Sequence, residues 1–103
     1  MTPLEQTFTD ELLRRLAVAA ALGAAQPRLE ADVRKFGGPA CARRLLDRGR
    51  TSDGFAALAD AGRLDLSLEA LAAEGKYGAL FTDDQVNACF AALCAAGYYA
   101  FGA

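Results

Sequence analysis

Nine of the eleven Lys and Arg residues of this 103-residue chain lie between residues 14 and 50, where only three acids accompany them, a local net of +6. Arg28, Arg34, Lys35, Arg43, Arg44, Arg48 and Arg50 could line one surface and neutralise phosphates. The flanks are acidic: residues 1–13 carry three acids and no base, and residues 51–103 carry seven acids against two bases. The whole chain is at −2, with a sequence pI near 5.0, which weighs against a free nucleic-acid binder. The candidate binding surface is therefore Arg34, Lys35, Arg43, Arg44, Arg48 and Arg50, joined by Arg63 and Asp65. The plainer alternative is that these bases pair with the acidic halves or only solvate helices. Asp53, Asp60, Asp65, Glu69, Glu74, Asp83 and Asp84 offer the opposite surface, an anionic face for a basic partner.

Catalysis finds little to work with. The chain has no histidine, the usual base near neutral pH. Adjacent Asp83 and Asp84 diverge by about 100° around a helix and suit its first turn better than an acid–base pair. Cys41 lacks a histidine to activate it. Gly37-Gly38-Pro39 precedes a helix and could receive an anion, yet it lacks the spacing and lysine of a phosphate loop. Cys89 and Cys94 would sit about 140° apart around a helix, so they do not point at one metal. The expectation is no catalytic residue, no metal, no cofactor and three reduced, buried thiols.

Such residues must be held by helices. Thr2-Pro3-Leu4-Glu5 is a capping box, and Leu4, Phe8, Leu12, Leu16 and Ala20 recur four apart, which predicts a helix over about 3–22 ending at Gly23. Pro27 opens a second helix with Leu29, Val33 and Phe36 on its apolar face. Pro39 opens a third, with Leu45 and Leu46 inward, Arg43, Arg44 and Arg48 at its edge, and Gly49 as its stop. Thr51-Ser52-Asp53 can cap a short fourth helix carrying Phe55 and Leu58. Leu64 and Leu66 anchor a short extended connector, and Ser67 caps a fifth helix with Leu68 and Leu71. Thr82-Asp83-Asp84-Gln85 is a second capping box, opening a sixth helix striped by Val86, Phe90 and Leu93. The aromatic tail Tyr98-Tyr99-Ala100-Phe101 is expected to pack back on the body.

Composition agrees with one small domain spanning residues 1–103: 53% of residues are hydrophobic and 23% charged. Much of the apolar share is alanine, so Leu and Phe must carry the core. No window suits a membrane span, and the acids at residues 5, 10 and 11 do not resemble a secretory leader, so a cytoplasmic protein is expected.

Ser52-Asp53-Gly54-Phe55 and Leu58, followed by Gly62-Arg63-Leu64-Asp65-Leu66-Ser67-Leu68-Glu69-Ala70-Leu71, carry a resemblance, as does Leu80-Phe81-Thr82-Asp83-Asp84 before a helix ending at Gly97-Tyr98. Over residues 37–99 the chain resembles a family of small standalone bacterial proteins built around a D-G-F…G-R-L-D-L pattern, to which no activity is attached. The chain departs from that pattern at Ala59, where a large aromatic is common, and at Ala72-Ala73-Glu74-Gly75, where a proline-bearing link is common. The motif residues suit turns, core anchoring and a hydrogen-bonded connector.

The fold expected is all-α, a compact single domain of five or six short helices. The function expected is that of a non-enzymatic regulator or inhibitor binding a larger protein or protein complex. One concrete form is a phage- or mobile-element-encoded protein directed at a bacterial defence complex, as anti-CRISPR proteins are. The alternative is a nucleic-acid-associated regulator using residues 28–50. No membrane partner is expected, and the Ala-rich first helix could pair with a copy of itself.

Overall fold

A computed structural model of the chain describes residues 1–98. Six α-helices follow one another: α1 (Pro3–Ala21), α2 (Pro27–Phe36), α3 (Gly38–Asp47), α4 (Phe55–Asp60), α5 (Leu68–Ala72) and α6 (Asp83–Ala95). Two 3₁₀ segments, Leu64–Leu66 and Gly75–Leu80, bring the helical elements above the five or six expected. There is no strand among the described residues. The connector at residues 64–66 is thus a 3₁₀ turn, not an extended link. Leu64 and Leu66 point about 240° apart on such a turn, and both are buried because the segment packs among α1, α4 and α5.

Both capping boxes form. Thr2 Oγ1 accepts from the Glu5 amide while Glu5 accepts from the Thr2 amide, and Thr82 and Gln85 repeat the exchange at α6. Ser67 caps α5 by accepting from the Ala70 amide, and its hydroxyl donates to the Leu64 carbonyl at 2.7 Å. In α1 the buried face is Phe8, Thr9, Leu12, Leu16 and Ala19. The expected Ala20 is exposed, because a strict four-residue spacing drifts by about 40° per step on a 3.6-residue helix.

One core gathers around Phe8. Tyr77 meets its ring edge-on at 5.1 Å between centroids and Phe81 at 5.4 Å. Helix α3 approaches α1 at Gly38, whose amide donates to Thr9 Oγ1 at 2.9 Å. A Cβ there would lie 2.8 Å from Phe8 Cδ1 and 3.2 Å from the Thr9 Cα. A second core under α4 joins Phe55, Leu58, Leu64, Leu66 and Leu93.

Three apolar faces differ from expectation. Phe36 is 43% exposed, since α2 buries Leu29 and Val33 and ends where the chain turns into α3. Leu45 is only half-buried beside a buried Leu46. Helix α6 buries Gln85, Cys89 and Leu93, while Phe90 is 39% exposed and Val86 half-buried. That helix is apolar nearly all round, so periodicity alone does not choose its inward face. The bond from Gln85 to Asp47 on α3, at 2.9 Å, helps set it. Cys41 and Cys89 are buried but Cys94 is exposed, contrary to three buried thiols. Tyr99, Ala100 and Phe101 lie outside the described residues, and Tyr98 is 38% exposed. No helix among the described residues is long and apolar enough to cross a membrane.

Candidate binding cleft on helices α2 and α3

Proline at the start of α2 and α3 sets both helices, and the turn at Gly37, with φ of 89°, joins them without a linker. This hairpin carries Arg28, Arg34, Lys35, Arg43 and Arg44, with Arg48 and Arg50 just beyond its end. Arg44 projects its guanidinium over the exposed Phe36 ring at 5.1 Å, and Lys35 covers the same ring at 5.2 Å. Arg34 is partly occupied by an exposed pair with Glu30 at 2.9 Å. Arg34, Lys35 and Phe36 also line a groove against Met1 and, on α1, Gln6 and Leu13.

Arg44 also lines a cleft of about 260 Å³, walled by α2 (Leu29, Asp32), α3 (Cys41, Arg44, Leu45) and its C-cap Arg48, and the segment carrying Arg50, Thr51 and Asp53. Arg44, Arg48 and Arg50 make no salt bridge with a described residue. Burial pushes the Cys41 thiol above its usual range, and nearby Asp32 adds to this against the opposing pull of Arg44. The Cys41 side chain forms part of the apolar wall of the cleft.

The third wall is held from below. Glu69, fully buried on α5, accepts from the Ser52 amide at 2.6 Å and the Ser52 hydroxyl at 2.7 Å. Burial pushes the Glu69 carboxyl above the ordinary carboxylate range, and the two bonds from Ser52 pull the other way. Its charge in turn adds to the burial that drives the Cys89 thiol up to about 12. Glu69 therefore cannot belong to an anionic face; its role is to fix residues 50–54. Arg50 is tied further by its amide, which donates to the Leu45 carbonyl at 3.3 Å. Gly54 sits against the buried Gln26 side chain, where a Cβ would come within 2.7 Å of Cδ.

The remaining expected site residues separate from this cleft. Arg43 is spent internally: its Nε donates to the Leu80 carbonyl at 2.9 Å and its guanidinium lies 5.9 Å from the Phe81 ring centroid. Arg63 and Asp65 pair with each other at 3.1 Å and 3.2 Å, in a segment packed among α1, α4 and α5. That pairing, chiefly the bonds from Arg63, lowers the Asp65 carboxyl. Of the G-R-L-D-L motif, then, Leu64 and Leu66 serve the core and Arg63 and Asp65 serve each other. Of D-G-F, Phe55 serves the core, Gly54 makes room for Gln26, and Asp53 faces the cleft.

Arg15 escaped sequence reading. It bonds Glu11 at 2.8 Å, Glu74 at 2.6 Å and the Asp65 carbonyl at 2.8 Å, tying α1 to the connector and to the start of the second 3₁₀ segment. Glu11 is a local i,i+4 partner, but the other two lie 50 and 59 residues away, and no local pattern could announce them. Bonds from Arg14 and then Arg15 hold the Glu11 carboxyl down at about 2. Among the described residues no group of three His, Cys, Asp or Glu is placed to hold a metal ion.

Comparison of the chain with family models, with curated proteins and with solved structures gives no match.

Proposed function

We propose that the chain is a non-enzymatic binding module that regulates or inhibits a larger protein or protein complex by docking its α2–α3 surface on an acidic patch. The observation that carries this reading is the exposed Phe36 ring flanked by Lys35 and Arg44, beside the free guanidinium groups of Arg48 and Arg50. An aromatic anchor ringed by arginine is the composition of an interface centre, and rim cations steer an acidic partner. No acid–base pair or activated thiol accompanies the surface, and the mechanism needs none. Small size, net acidity and the lack of catalytic groups make a cytoplasmic inhibitor of a bacterial defence complex, in the manner of anti-CRISPR proteins, the concrete form of the proposal.

A second reading draws on the same ring. Phe36 with two cations over it could stack a nucleic-acid base, with Arg44, Arg48 and Arg50 on phosphates.

The test is a pull-down from a bacterial lysate with and without nuclease, comparing the native chain with Arg44→Glu plus Arg48→Glu. A protein that survives nuclease and is lost with the double variant supports the proposal. Material removed by nuclease moves the function to nucleic acid, and a partner retained by the double variant removes this surface from the argument.

A further inference from the structure

We infer that the cleft between α2, α3 and residues 50–53 is a pocket for one apolar side chain of a partner protein, flanked there by a carboxylate. The inference rests on the reading of the α2–α3 surface as the docking face, and it names what that face takes. Four observations carry it.

The first is chemistry. Leu29, Leu45 and the Cys41 thiol provide apolar lining, while Arg44, Arg48 and Arg50 line the same cleft and make no salt bridge with a described residue. Guanidinium forks match carboxylates bidentately. The second is size. At about 260 Å³ the cleft has room for one large side chain together with its flanking groups.

The third is the presence of acids. Asp32 and Asp53 line the same cleft, and neither forms a salt bridge with its arginines. A phosphodiester backbone would be pressed against both. A protein segment can set a backbone N–H or a lysine there instead, so the mixed lining selects protein over nucleic acid. The fourth is rigidity. The Glu69–Ser52 bonds and the Arg50–Leu45 backbone bond hold the third wall before any partner arrives, which limits the ordering lost on binding. Arg44 joins the cleft to the exposed Phe36 ring, making one continuous footprint.

The probes are three: a synthetic peptide with a Glu-Leu-Glu core in a Gly/Ser context, its Lys-Leu-Lys counterpart, and a single-stranded DNA oligomer of similar length. Each is titrated to millimolar concentration into the isotope-labelled full chain, and backbone amide shifts are followed by NMR. The acidic peptide is expected to move the amides of Leu29, Asp32, Arg44, Leu45, Arg48 and Arg50, and the basic peptide to leave them in place. Arg44→Glu plus Arg48→Glu should weaken the acidic peptide at least about tenfold, while the spectrum stays folded. Asp32→Asn plus Asp53→Asn should strengthen DNA binding by a larger factor than it strengthens the acidic peptide, because a phosphate chain cannot avoid both acids.

Cleft amides unmoved by the acidic peptide overturn the inference, as does DNA moving them more strongly than the peptide in the native chain. Shifts confined to Arg34, Lys35 and Phe36 reject the cleft yet leave the docking face standing. Loss of the pull-down partner's dependence on Arg44 and Arg48 rejects that face itself, so the two failures are distinguishable.

Discussion

Glu69→Gln should make the protein more stable near neutral pH, although it removes the charged member of a fully buried hydrogen-bonded pair. The amide keeps the geometry: its oxygen accepts from the Ser52 amide and its nitrogen donates to the Ser52 hydroxyl, replacing the contacts at 2.6 Å and 2.7 Å. Two charge-assisted bonds weaken to neutral ones, a loss of about 2 kcal/mol in all. Against this stands the removal of a buried carboxylate with no salt-bridge cation within reach, whose desolvation costs several kcal/mol. The net expectation is a gain of roughly 1–3 kcal/mol at about pH 8, shrinking as acid protonates the native carboxyl. Glu69→Ala instead leaves both Ser52 donors without acceptors and opens a void, a loss of roughly 2–4 kcal/mol. Urea unfolding followed by helical circular dichroism, at about pH 8 and about pH 5, separates these outcomes. Equal destabilisation by Gln and Ala at the higher pH would refute the reasoning, since it would mean that the charge itself is required.

The pH profile of the native chain should carry two opposed limbs. Glu69, raised by burial, binds its proton more tightly when folded, so stability should fall as pH rises above the ordinary value of 4.5 through the raised one. Glu11, held at about 2 by Arg14 and Arg15, contributes stability above 4.5 that is lost as pH falls from there toward 2. Urea midpoints across that range should show both limbs, and Glu69→Gln should flatten only the upper one. Gly38→Ala should destabilise by roughly 1–3 kcal/mol in the same assay, because its Cβ meets Phe8 and the α1 backbone. A thiol reagent should label Cys94 at once and Cys41 and Cys89 only on unfolding; rapid labelling of two thiols in the folded protein would contradict their burial. Arg15→Gln should cost roughly 1–2 kcal/mol at low salt by releasing Glu11, Glu74 and the Asp65 carbonyl, measured again by urea unfolding.

Local signals determined most helices of this protein. Helix α4 is the exception, since its N-cap is Gly54 with no side-chain cap, and Ser52, expected among its capping residues, bonds Glu69 instead. Capping boxes act within four residues, proline at a first turn acts on its own φ, and glycine ends a helix by adopting positive φ, so Thr2, Pro27, Pro39 and Thr82 could be read as starts and Gly23 and Gly49 as stops. The clustering of arginines on α2 and α3 was legible for the same reason, since both helices and their spacing were. Tertiary packing decided the rest. It chose the inward face of α6, turned Phe36 outward, wound the Leu64–Leu66 connector into a 3₁₀ turn, and spent Arg43 on the Leu80 carbonyl while leaving Arg44, Arg48 and Arg50 at a cleft. It also buried Glu69, an acid of unremarkable setting in the sequence, under Ser52 seventeen residues away. Burial and pairing depend on what a residue meets across the molecule, and the charge of a side chain alone does not say whether it will face water, a carbonyl or a partner.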